Sequence, residues 1–438
     1  MKLDFSNFVF MDKIIDFLLL TEPNTRYVVL GSILLGASSA IVGCFTFLQK
    51  RALVGDAVAH SVLPGVCGAF LMAGTKNPLF LILGAFVSGW ISIICMNLIT
   101  KYSKLKEDTA VALILSVFFG FGVMLLTYIQ QSGNAAQSGL ESFLFGKAAA
   151  LVGSDVWIFG GLAALMLLLV GLFYKEFIIV IFHKNFAQTI GLPIVAIEIL
   201  LTTLTVLAVV VGIQSVGVVL MAAMLVTPAA AARFWTDKLH KMLLIAAGFG
   251  GLAAIGGAFV SYIQTQMPTG PWIVLVASAI AMFSFFFAPK KGIVARRRRQ
   301  LLYKKQILEE NILKAMYHDI ERSNTQKTTS SLEDIGIQRQ FKTTLLQKTL
   351  EKLTKKHYIE KIETGWRLTE QGNLKAKRLV KLHRLWELYL TEIVRLAPDH
   401  VHEAAEALEH ILTPEIEAQL EAKLKYPQKD PHNSNIPY

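Results

Sequence analysis

Long apolar runs fill residues 27–288 and are separated by short polar breaks. A helix needs about 20 mostly apolar residues to cross roughly 30 Å of hydrocarbon. About nine runs reach that length, with approximate limits at 27–48, 52–74, 78–100, 109–130, 154–174, 194–212, 215–233, 242–264 and 271–288. The pattern predicts an all-α polytopic membrane domain with about eight or nine transmembrane helices. Residues 1–26 before it are expected to form an amphipathic segment on the membrane surface.

The pattern changes after Pro289, where apolar positions recur at the spacing of soluble amphipathic helices. We predict a basic linker over 289–300, a winged helix-turn-helix-like domain over 301–370 and a helical domain over 371–438. Helices are expected over 301–320, 331–337, 341–356, 371–394 and 402–412, with a β-hairpin that turns at 363–365. The order of short helix, turn, helix and hairpin is typical of a winged helix-turn-helix.

Composition agrees with this division into two parts. Hydrophobic residues make up 53% and charged residues 17% of the 438 positions, whereas soluble domains carry about 25% charge. Residues 27–288 contain 20 charged residues, and residues 289–438 contain 48. A purely soluble enzyme is therefore excluded. Most of the net charge of +11 lies in the second part, which suggests anionic lipid or nucleic acid as a partner, although a solvated basic surface is commoner.

Basic residues also predict the orientation of the helices. One set of alternate loops holds little beyond Lys76 and Lys147. The other set contains Lys50, Arg51, Lys101, Lys104, Lys106, Lys175, Lys184, Arg233, Lys238, Lys241 and the run from Arg296 to Arg299. Since cytoplasmic loops carry the excess of lysine and arginine, these loops and the C-terminal part are expected in the cytoplasm. The loop over 131–153, with a surface helix around 140–151, is then outside, and the loop over 175–193 is inside.

The strongest chemical feature of the membrane part is RALVGDAVAHSVLPG, residues 51–65. Asp56 and His60 are four positions apart, so on a helix their side chains share one face. Ionisable residues inside spans are costly and usually face a polar path, and carboxylate with imidazole suits Mn²⁺, Zn²⁺ or Fe²⁺. Two ligands are too few for a complete site, but two copies of the span at a dimer axis would bring four together. From spacing alone, a capping acid beside a histidine bonded to a carbonyl is an equally good interpretation.

Two segments resemble the permease family of ABC importers for manganese, zinc and iron. They are RALVGDAVAHSVLPGVCGAF and SVGVVLMAAMLVTPAAAARF, and the resemblance covers residues 27–288. It implies that Asp56 and His60 contact the transported ion. It also implies that NFAQTIGLP is the cytoplasmic helix that docks on the ATPase, although His183 stands where the family often has an acid. The candidate coupling residues are Asn185, Phe186, Ala187, Gly191 and Pro193.

The chain has no phosphate-binding loop of the form G-x-x-x-x-G-K-[ST]. Gly146 and Lys147 are followed by Ala148 and lack the first glycine. We therefore expect a chain that binds no nucleotide and is not itself an enzyme. The resemblance implies three partners: a separate ABC ATPase, an extracytoplasmic metal-binding protein, and a second permease subunit in a homodimer or heterodimer. Membrane lipid is a fourth partner, expected from the apolar spans and the basic residues. The divalent ion, Mn, Zn or Fe, is the substrate.

Acids and histidines also recur in the last predicted helices. Pairs four positions apart share a helical face and suit Mn²⁺, Fe²⁺ or Zn²⁺, although a surface helix scattered with glutamate and histidine is commoner. The candidates for a regulatory metal are His383, Glu387, His402, Glu406, Glu409 and His410.

The segments LTEQGNLKAKRLVKLHRLWELYL and VHEAAEALEHILTPEIEAQLEAKL, with the DPHNSNIP ending, resemble the iron- or manganese-dependent repressors of the diphtheria-toxin-repressor family. The resemblance covers about residues 300–438 and implies that the last domain binds metal and dimerises. The run 406–410 matches the family's E-x-x-E-H ligands, and His383 matches its preceding histidine. Glu387 and His402 match an ancillary site of some members.

The first helix of the tail departs from this family. Manganese-type members place acidic ligands there, whereas the stretch EENILKAMY offers Asn311 and Lys314. Lysine is protonated at neutral pH and would repel a dication. The metal site of the tail is therefore incomplete, is completed by Glu310, or has been lost.

The helix predicted over 341–356 is basic and could serve as a DNA-recognition helix. Its candidate contacts with phosphate or bases are Thr343, Thr344, Lys348 and Lys352, accompanied by Lys342, Lys355 and Lys356. A basic helix is more often simply solvated. The nearby run from Arg296 to Arg299 also suits anionic lipid headgroups, so DNA would have to come to the membrane.

Together these features predict a multi-pass protein of the bacterial cytoplasmic membrane, the permease subunit of an ATP-driven importer of divalent transition metal ions. Its cytoplasmic repressor-like tail is expected to sense metal and restrain transport. The alternative is a membrane-tethered, metal-dependent transcription regulator. A tail that only aids dimerisation or contact with the ATPase is a third hypothesis.

Overall fold

A computed structural model describes residues 3–74, 77–131, 146, 153–264, 267–322, 329–339, 343–396 and 413–438. The chain divides into two compact units, Met1–Arg296 and Arg297–Tyr438. The described part of the first unit is helical, and that of the second combines helices with a two-stranded sheet. This confirms the expected fold class. The helices predicted over 140–151 and 402–412 lie outside the described residues.

Between Leu3 and Phe287 the first unit contains twelve described helices. They are α1 (Leu3–Leu19), α2 (Pro23–Leu48), α3 (Val54–Ala73), α4 (Pro78–Tyr102), α5 (Glu107–Gln131), α6 (Gly153–Leu172), α7 (Tyr174–Phe182), α8 (Lys184–Thr189), α9 (Ile194–Val216), α10 (Val218–Trp235), α11 (Leu239–Ile263) and α12 (Thr269–Phe287). Eight of them, α2 to α6, α9, α11 and α12, are long and apolar enough to cross a membrane by length and composition. The run predicted over 215–233 corresponds to α10.

Gly217 separates α9 from α10. Its φ of +91° lies in a region that glycine reaches without the steric cost of a Cβ atom. The sequence predicted separate runs over 194–212 and 215–233, and the structure places the break a few residues later, at Gly217. The glycine therefore allows the chain to interrupt the helix within an apolar stretch.

The inside loop predicted over 175–193 contains two helices, α7 and α8. Its first half, KEFIIVIF, is apolar with a helical period, and Phe177 and Val180 are buried. The ring of Phe177 packs edge-on against Phe45 of α2 with centroids 5.4 Å apart. This segment is too short to cross a bilayer, but burial of its apolar face stabilises it as a helix.

Small residues allow close helix contacts in the membrane unit. A Cβ atom added to Gly250 of α11 would lie 2.3 Å from the carbonyl oxygen of Gly36 in α2, and the reverse substitution would be equally crowded. Gly65 of α3 and Gly84 of α4 make a second close approach. Such contacts are typical of membrane helices, where small residues let the backbones approach.

The N-terminal helix α1 is packed onto the membrane unit at its C-terminal end. Phe17 is buried, and its ring contacts Phe259 and Tyr262 of α11 with centroids 5.2 and 5.6 Å apart. The predicted helix over residues 1–26 is thus present over Leu3–Leu19 and has a fixed contact with the helices that follow.

The second unit contains the predicted winged helix. Its elements are α13 (Ile293–Arg322), α14 (Leu332–Arg339), α15 (Thr343–Lys355), β1 (Ile359–Ile362), β2 (Gly365–Leu368), α16 (Glu370–Glu392) and α17 (Pro414–Lys423). The strands are antiparallel, with Ile359 opposite Leu368. The core residues include Ile312, Leu313, Met316, Ile335, Leu346, Leu350, Leu353 and Ile359. These residues follow the apolar spacing that predicted the helices.

Helix α13 begins eight residues before the expected start at Leu301. The run from Arg296 to Arg299, in the basic linker predicted over 289–300, therefore lies on a helix. Arginine has a high helix propensity, and nothing between Ile293 and Leu301 interrupts the helix. The basic residues are thus held on a regular scaffold.

We predict that Gly250→Val destabilises the membrane unit by on the order of 1–3 kcal/mol, the usual cost of overpacking. The added side chain would meet the Gly36 backbone, which cannot move without separating α2 from α11. Thermal unfolding in detergent would measure the effect. Gly248→Val is the matched control, because this glycine is exposed and a Cβ there meets nothing within 4 Å. Equal stability of the two variants would contradict the packing argument.

Candidate functional site

Asp56 and His60 lie on the first two turns of α3. The Oδ1 atom of Asp56 is 3.6 Å from Nε2 of His60, as their spacing predicts. Asp56 is in the first helical turn, where the helix dipole favours a negative charge. Its side chain is 37% exposed, whereas that of His60 is 16% exposed. The pair therefore presents an accessible carboxylate next to a largely buried imidazole.

The second nitrogen of His60 has no partner. Nδ1 is buried and makes no hydrogen bond in the described structure. The ring instead meets the edge of Phe119 in α5, with centroids 5.0 Å apart. Buried polar atoms are normally hydrogen-bonded, so an unused imidazole nitrogen points to a ligand. The interpretation of His60 as a histidine bonded to a backbone carbonyl finds no such bond among the described residues.

The pair by itself does not complete a metal site. Among the described residues, no group of three or more His, Cys, Asp or Glu side chains is placed to hold a metal ion. First-row divalent ions take four to six ligands. Asp56 and His60 therefore need ligands from water, from a second chain or from both.

The face of α3 that carries the pair continues into an apolar groove. Pro64, Gly68 and Met72 follow His60 at intervals of four residues and therefore share its face. They line a groove of about 980 Å³ between α3, α4 and α5. The groove is open, and Met72 is 91% exposed. The acidic and imidazole groups thus lie at one end of a long face that is largely unoccupied.

Two contacts near the pair were not anticipated from the sequence. Phe119 positions the imidazole, and Arg51 forms an ion pair with Glu107 at the start of α5, with Nε and Oε1 2.9 Å apart. The sequence contained a signal for the ion pair, because Glu107 directly follows the lysine-rich loop. The contact of Phe119 had no such signal, because it depends on how α5 crosses α3.

The candidate coupling residues form a short helix with a mixed surface. Ala187 is fully buried, whereas Asn185 and Phe186 are exposed. Gly191 has a φ of +76° and Pro193 immediately precedes α9, so the helix ends where the sequence predicted. Nζ of Lys184 lies 2.6 Å from Glu198 Oε1 in α9 and ties the segment to that helix. An exposed aromatic ring on an anchored helix is suited to docking another protein.

The tail contains a second carboxylate–imidazole pair with a spacing of four residues, and this one is buried. Nε2 of His383 lies 3.1 Å from Oε1 of Glu387, and the side chains are 5% and 3% exposed. They line a polar cavity of about 670 Å³, together with Lys314 of α13. The remaining candidates, His402, Glu406, Glu409 and His410, lie outside the described residues.

Arg384 also lines this cavity and forms hydrogen bonds with several residues around it. Its guanidinium donates to both carboxylate oxygens of Glu321 at 2.9 and 2.7 Å, and its Nε is 3.5 Å from Asp430. It also donates to the carbonyl of Asn435. Asp430 in turn accepts from the backbone N–H groups of His432 and Ser434. The DPHNSN turn is therefore fixed against α13 and α16 by charge-assisted hydrogen bonds.

At positions 311 and 314, where the related repressors place acidic ligands, the first helix of the tail supplies none, and Glu321, an acid of α13 that does line the cavity, is bound by Arg384. Lys314 is 2% exposed, and Oδ1 of Asn311 is buried without a hydrogen bond in the described structure. Glu310, the substitute ligand considered from the sequence, lies with its Oε1 3.5 Å from Nζ of Lys375. The described residues therefore do not fit a divalent metal site that includes α13.

The proposed DNA-binding face of α15 is partly neutralised within the unit. Thr343, Thr344 and Lys348 are exposed. Glu309 of α13 instead holds Lys352 and Lys356, with N to O distances of 2.6 and 2.5 Å. Burial by itself would raise the pKa of Glu309, but hydrogen bonds from these lysines outweigh it and lower the pKa. Lys352 is therefore paired with Glu309, although 48% of its side chain stays exposed.

Known protein families match both parts of the chain. The family model described as the ABC 3 transport family matches residues 22–288, and the model for the iron dependent repressor metal binding and dimerisation domain matches residues 369–438. The manganese transport system membrane protein MntC of Bacillus subtilis is 43% identical over 379 residues, 86% of each chain.

Two further relatives cover the membrane unit. The zinc transport system membrane protein TroC of Treponema pallidum is 41% identical over 291 residues, 66% of this chain and 98% of that protein. The solved structure of PsaBC from Streptococcus pneumoniae in complex with Fab has 33% identity and a TM-score of 0.57, covering 64% of this chain and 97% of that chain. With its eight apolar helices and a family match over most of its length, the chain belongs to the ABC 3 transport family, and it carries a C-terminal iron-dependent-repressor metal-binding and dimerisation domain.

Proposed function

We propose that this chain is the membrane permease subunit of an ATP-driven importer of divalent transition metal ions. The observation that carries the proposal is the Asp56–His60 pair on a membrane helix, with an imidazole nitrogen that has no partner. Ionisable groups in a membrane are costly and are retained where an ion passes. The names of the relatives, which transport manganese or zinc, support the same substrate class.

The chemistry of the pair sets the range of ions. A carboxylate oxygen is a hard ligand and imidazole nitrogen is a borderline one, so the combination suits Mn²⁺, Fe²⁺ and Zn²⁺ better than Ca²⁺ or Cu⁺. Selection among these three depends on coordination geometry and on availability of the metal. Mn²⁺ and Zn²⁺ are the ions that the relatives favour.

A second permease subunit would complete the path. Two donors are too few, and the face that carries them opens onto an unoccupied apolar groove. If two α3 helices face each other, two carboxylates and two imidazoles converge on one ion. The groove residues next to them are small or apolar and would let the helices approach closely.

The ATPase and the external metal-binding protein are the other proposed partners. The sequence lacks a phosphate-binding loop, so hydrolysis would be supplied by the partner ATPase. Helix α8, with Phe186 exposed and Ala187 buried, would receive the movement of that ATPase. Lys184 and Glu198 would pass it to α9, because their ion pair joins the two helices.

Transport then proceeds from outside to inside. The external protein delivers the ion to a path at the subunit interface, and Asp56 and His60 offer oxygen and nitrogen donors near the end of α3 that the charge pattern places on the cytoplasmic side. Phe119 restricts the rotation of the imidazole. Closure of the ATPases would move α8, and this movement would change the side of the membrane to which the path opens.

The C-terminal unit supports a regulatory module of the permease better than a separate transcription regulator. Its DNA-binding face is compromised, because Glu309 holds Lys352 and Lys356. The exposed face of α15 also carries Glu351, which would repel phosphate. The regulatory metal that the sequence predicted at the His383–Glu387 pair is not part of this proposal, and cytoplasmic placement of this unit stays a prediction.

We predict that Asp56→Asn and His60→Gln each lower uptake of Mn²⁺ or Zn²⁺ at least roughly tenfold, because even partners outside the first ligand shell commonly contribute 10–100-fold to metal affinity. Uptake of the radioactive ion into cells or proteoliposomes would measure the loss. The matched controls are Asp108→Asn and His240→Gln, which change the same residue types at exposed positions of α5 and α11. Near-normal uptake by both site variants would remove the pair from the path.

We also predict that Phe186→Ala uncouples ATP hydrolysis from uptake while metal binding at Asp56 and His60 persists. The substitution removes the exposed ring from α8 without disturbing the buried Ala187. The ATPase activity of the reconstituted complex, with and without loaded binding protein, measures coupling. Tyr102→Ala is the control, since Tyr102 is an exposed aromatic residue at another helix end. Normal coupling in Phe186→Ala would exclude α8 as the docking helix.

A further inference from the structure

The polar cavity of the tail is lined by charged residues that have no role in the proposed transport path. Glu387 is 3% exposed and lies against His383. A carboxylate removed from water needs a compensating positive charge or several hydrogen bonds. In a metal-binding member of such a family, a divalent ion supplies that charge. The identity of the cation in this chain is therefore the decisive question.

Arg384 does not serve as that cation, because its contacts are directed elsewhere. It binds Glu321 with two hydrogen bonds and approaches Asp430, so its single positive charge already faces two carboxylates. Arg322 also lines the cavity but is exposed. Burial, together with the positive charges of Lys314 and Arg384, lowers the pKa of His318 to about 4, so this imidazole is neutral at cytoplasmic pH.

Lys314 remains as the buried cation among the described residues that line the cavity. It is 2% exposed, so its aliphatic stem and ammonium group are both enclosed. It lines the same cavity as His383 and Glu387. It also occupies the helix on which the related manganese-dependent repressors place acidic ligands, as the sequence resemblance indicated. A dication and a buried ammonium group repel each other, so they do not share this space.

We infer that the ammonium group of Lys314 takes the place of a divalent cation in this cavity. The C-terminal unit therefore holds α13 beside the His383–Glu387 pair without a metal ion, and its action on the permease is not switched by metal at this position. The domain keeps the fold of a metal-binding regulator with a built-in, permanent cation. This inference does not depend on the transport path, because it concerns residues of the C-terminal unit alone.

The test counts bound ions on the full-length chain in detergent. Asp56→Ala and His60→Ala are combined as the background, so that ions of the transport path do not contribute. Equilibrium dialysis with Mn²⁺ or Zn²⁺, followed by elemental analysis, gives the ions bound per chain. We expect the background to bind the same amount with and without an added His383→Ala substitution. An ion that is bound by the background and lost with His383→Ala would overturn the inference.

Replacement of Lys314 supplies the second arm. Lys314→Glu removes the cation and adds a ligand, so it should gain about one bound ion per chain, and that ion should be lost again with His383→Ala. Lys314→Gln, which removes the charge without adding another, should show the same gain at lower affinity and serves if Lys314→Glu does not fold. Lys305→Glu is the matched control, because it makes the same charge change at an exposed position of α13. A folded Lys314 variant that gains no ion would contradict the inference.

Discussion

The membrane unit depends on placing a carboxylate and an imidazole on one face of an apolar helix. Asp56 and His60 are 3.6 Å apart, and the buried Nδ1 of His60 is unsatisfied in the described structure. The buried Nδ1 lowers the stability of the fold, since a buried polar atom without a hydrogen bond costs free energy. It becomes reasonable when a cation is to bind there and leave again. Tight binding would hold the ion, so an incomplete pair in each subunit suits transport.

The remaining helices provide a rigid surrounding for that face. Close backbone contacts join α2 to α11 at Gly36 and Gly250, and α3 to α4 at Gly65 and Gly84. Close backbone contact leaves few ways for these helices to slide, because any shift meets main-chain atoms. Phe119 then restrains the imidazole from α5. Movement driven by an ATPase is expected to displace whole helices and not single side chains.

The same pair of residue types has a different role in the two units because the surroundings differ. Asp56 is partly exposed, so an ion can reach its carboxylate. Glu387 and His383 are almost fully enclosed and share their cavity with Lys314. A carboxylate and a histidine four residues apart thus specify a possible metal ligand pair. Whether the buried carboxylate needs a metal ion depends on the other charged side chains in its cavity.

The sequence by itself determined the membrane helices, the winged helix and the Asp56–His60 pair, because these follow from local periodicity and from spacing on one helix. Tertiary structure decided the helical character of Tyr174–Phe182, the contact of Phe119 with His60, and the ion pair of Lys352 with Glu309. Lys314 was visible as an unusual residue, but its burial in the cavity that His383 also lines was not. Each of these depends on which distant segments meet, and burial changes the energy of a charge far more than its neighbours in sequence do.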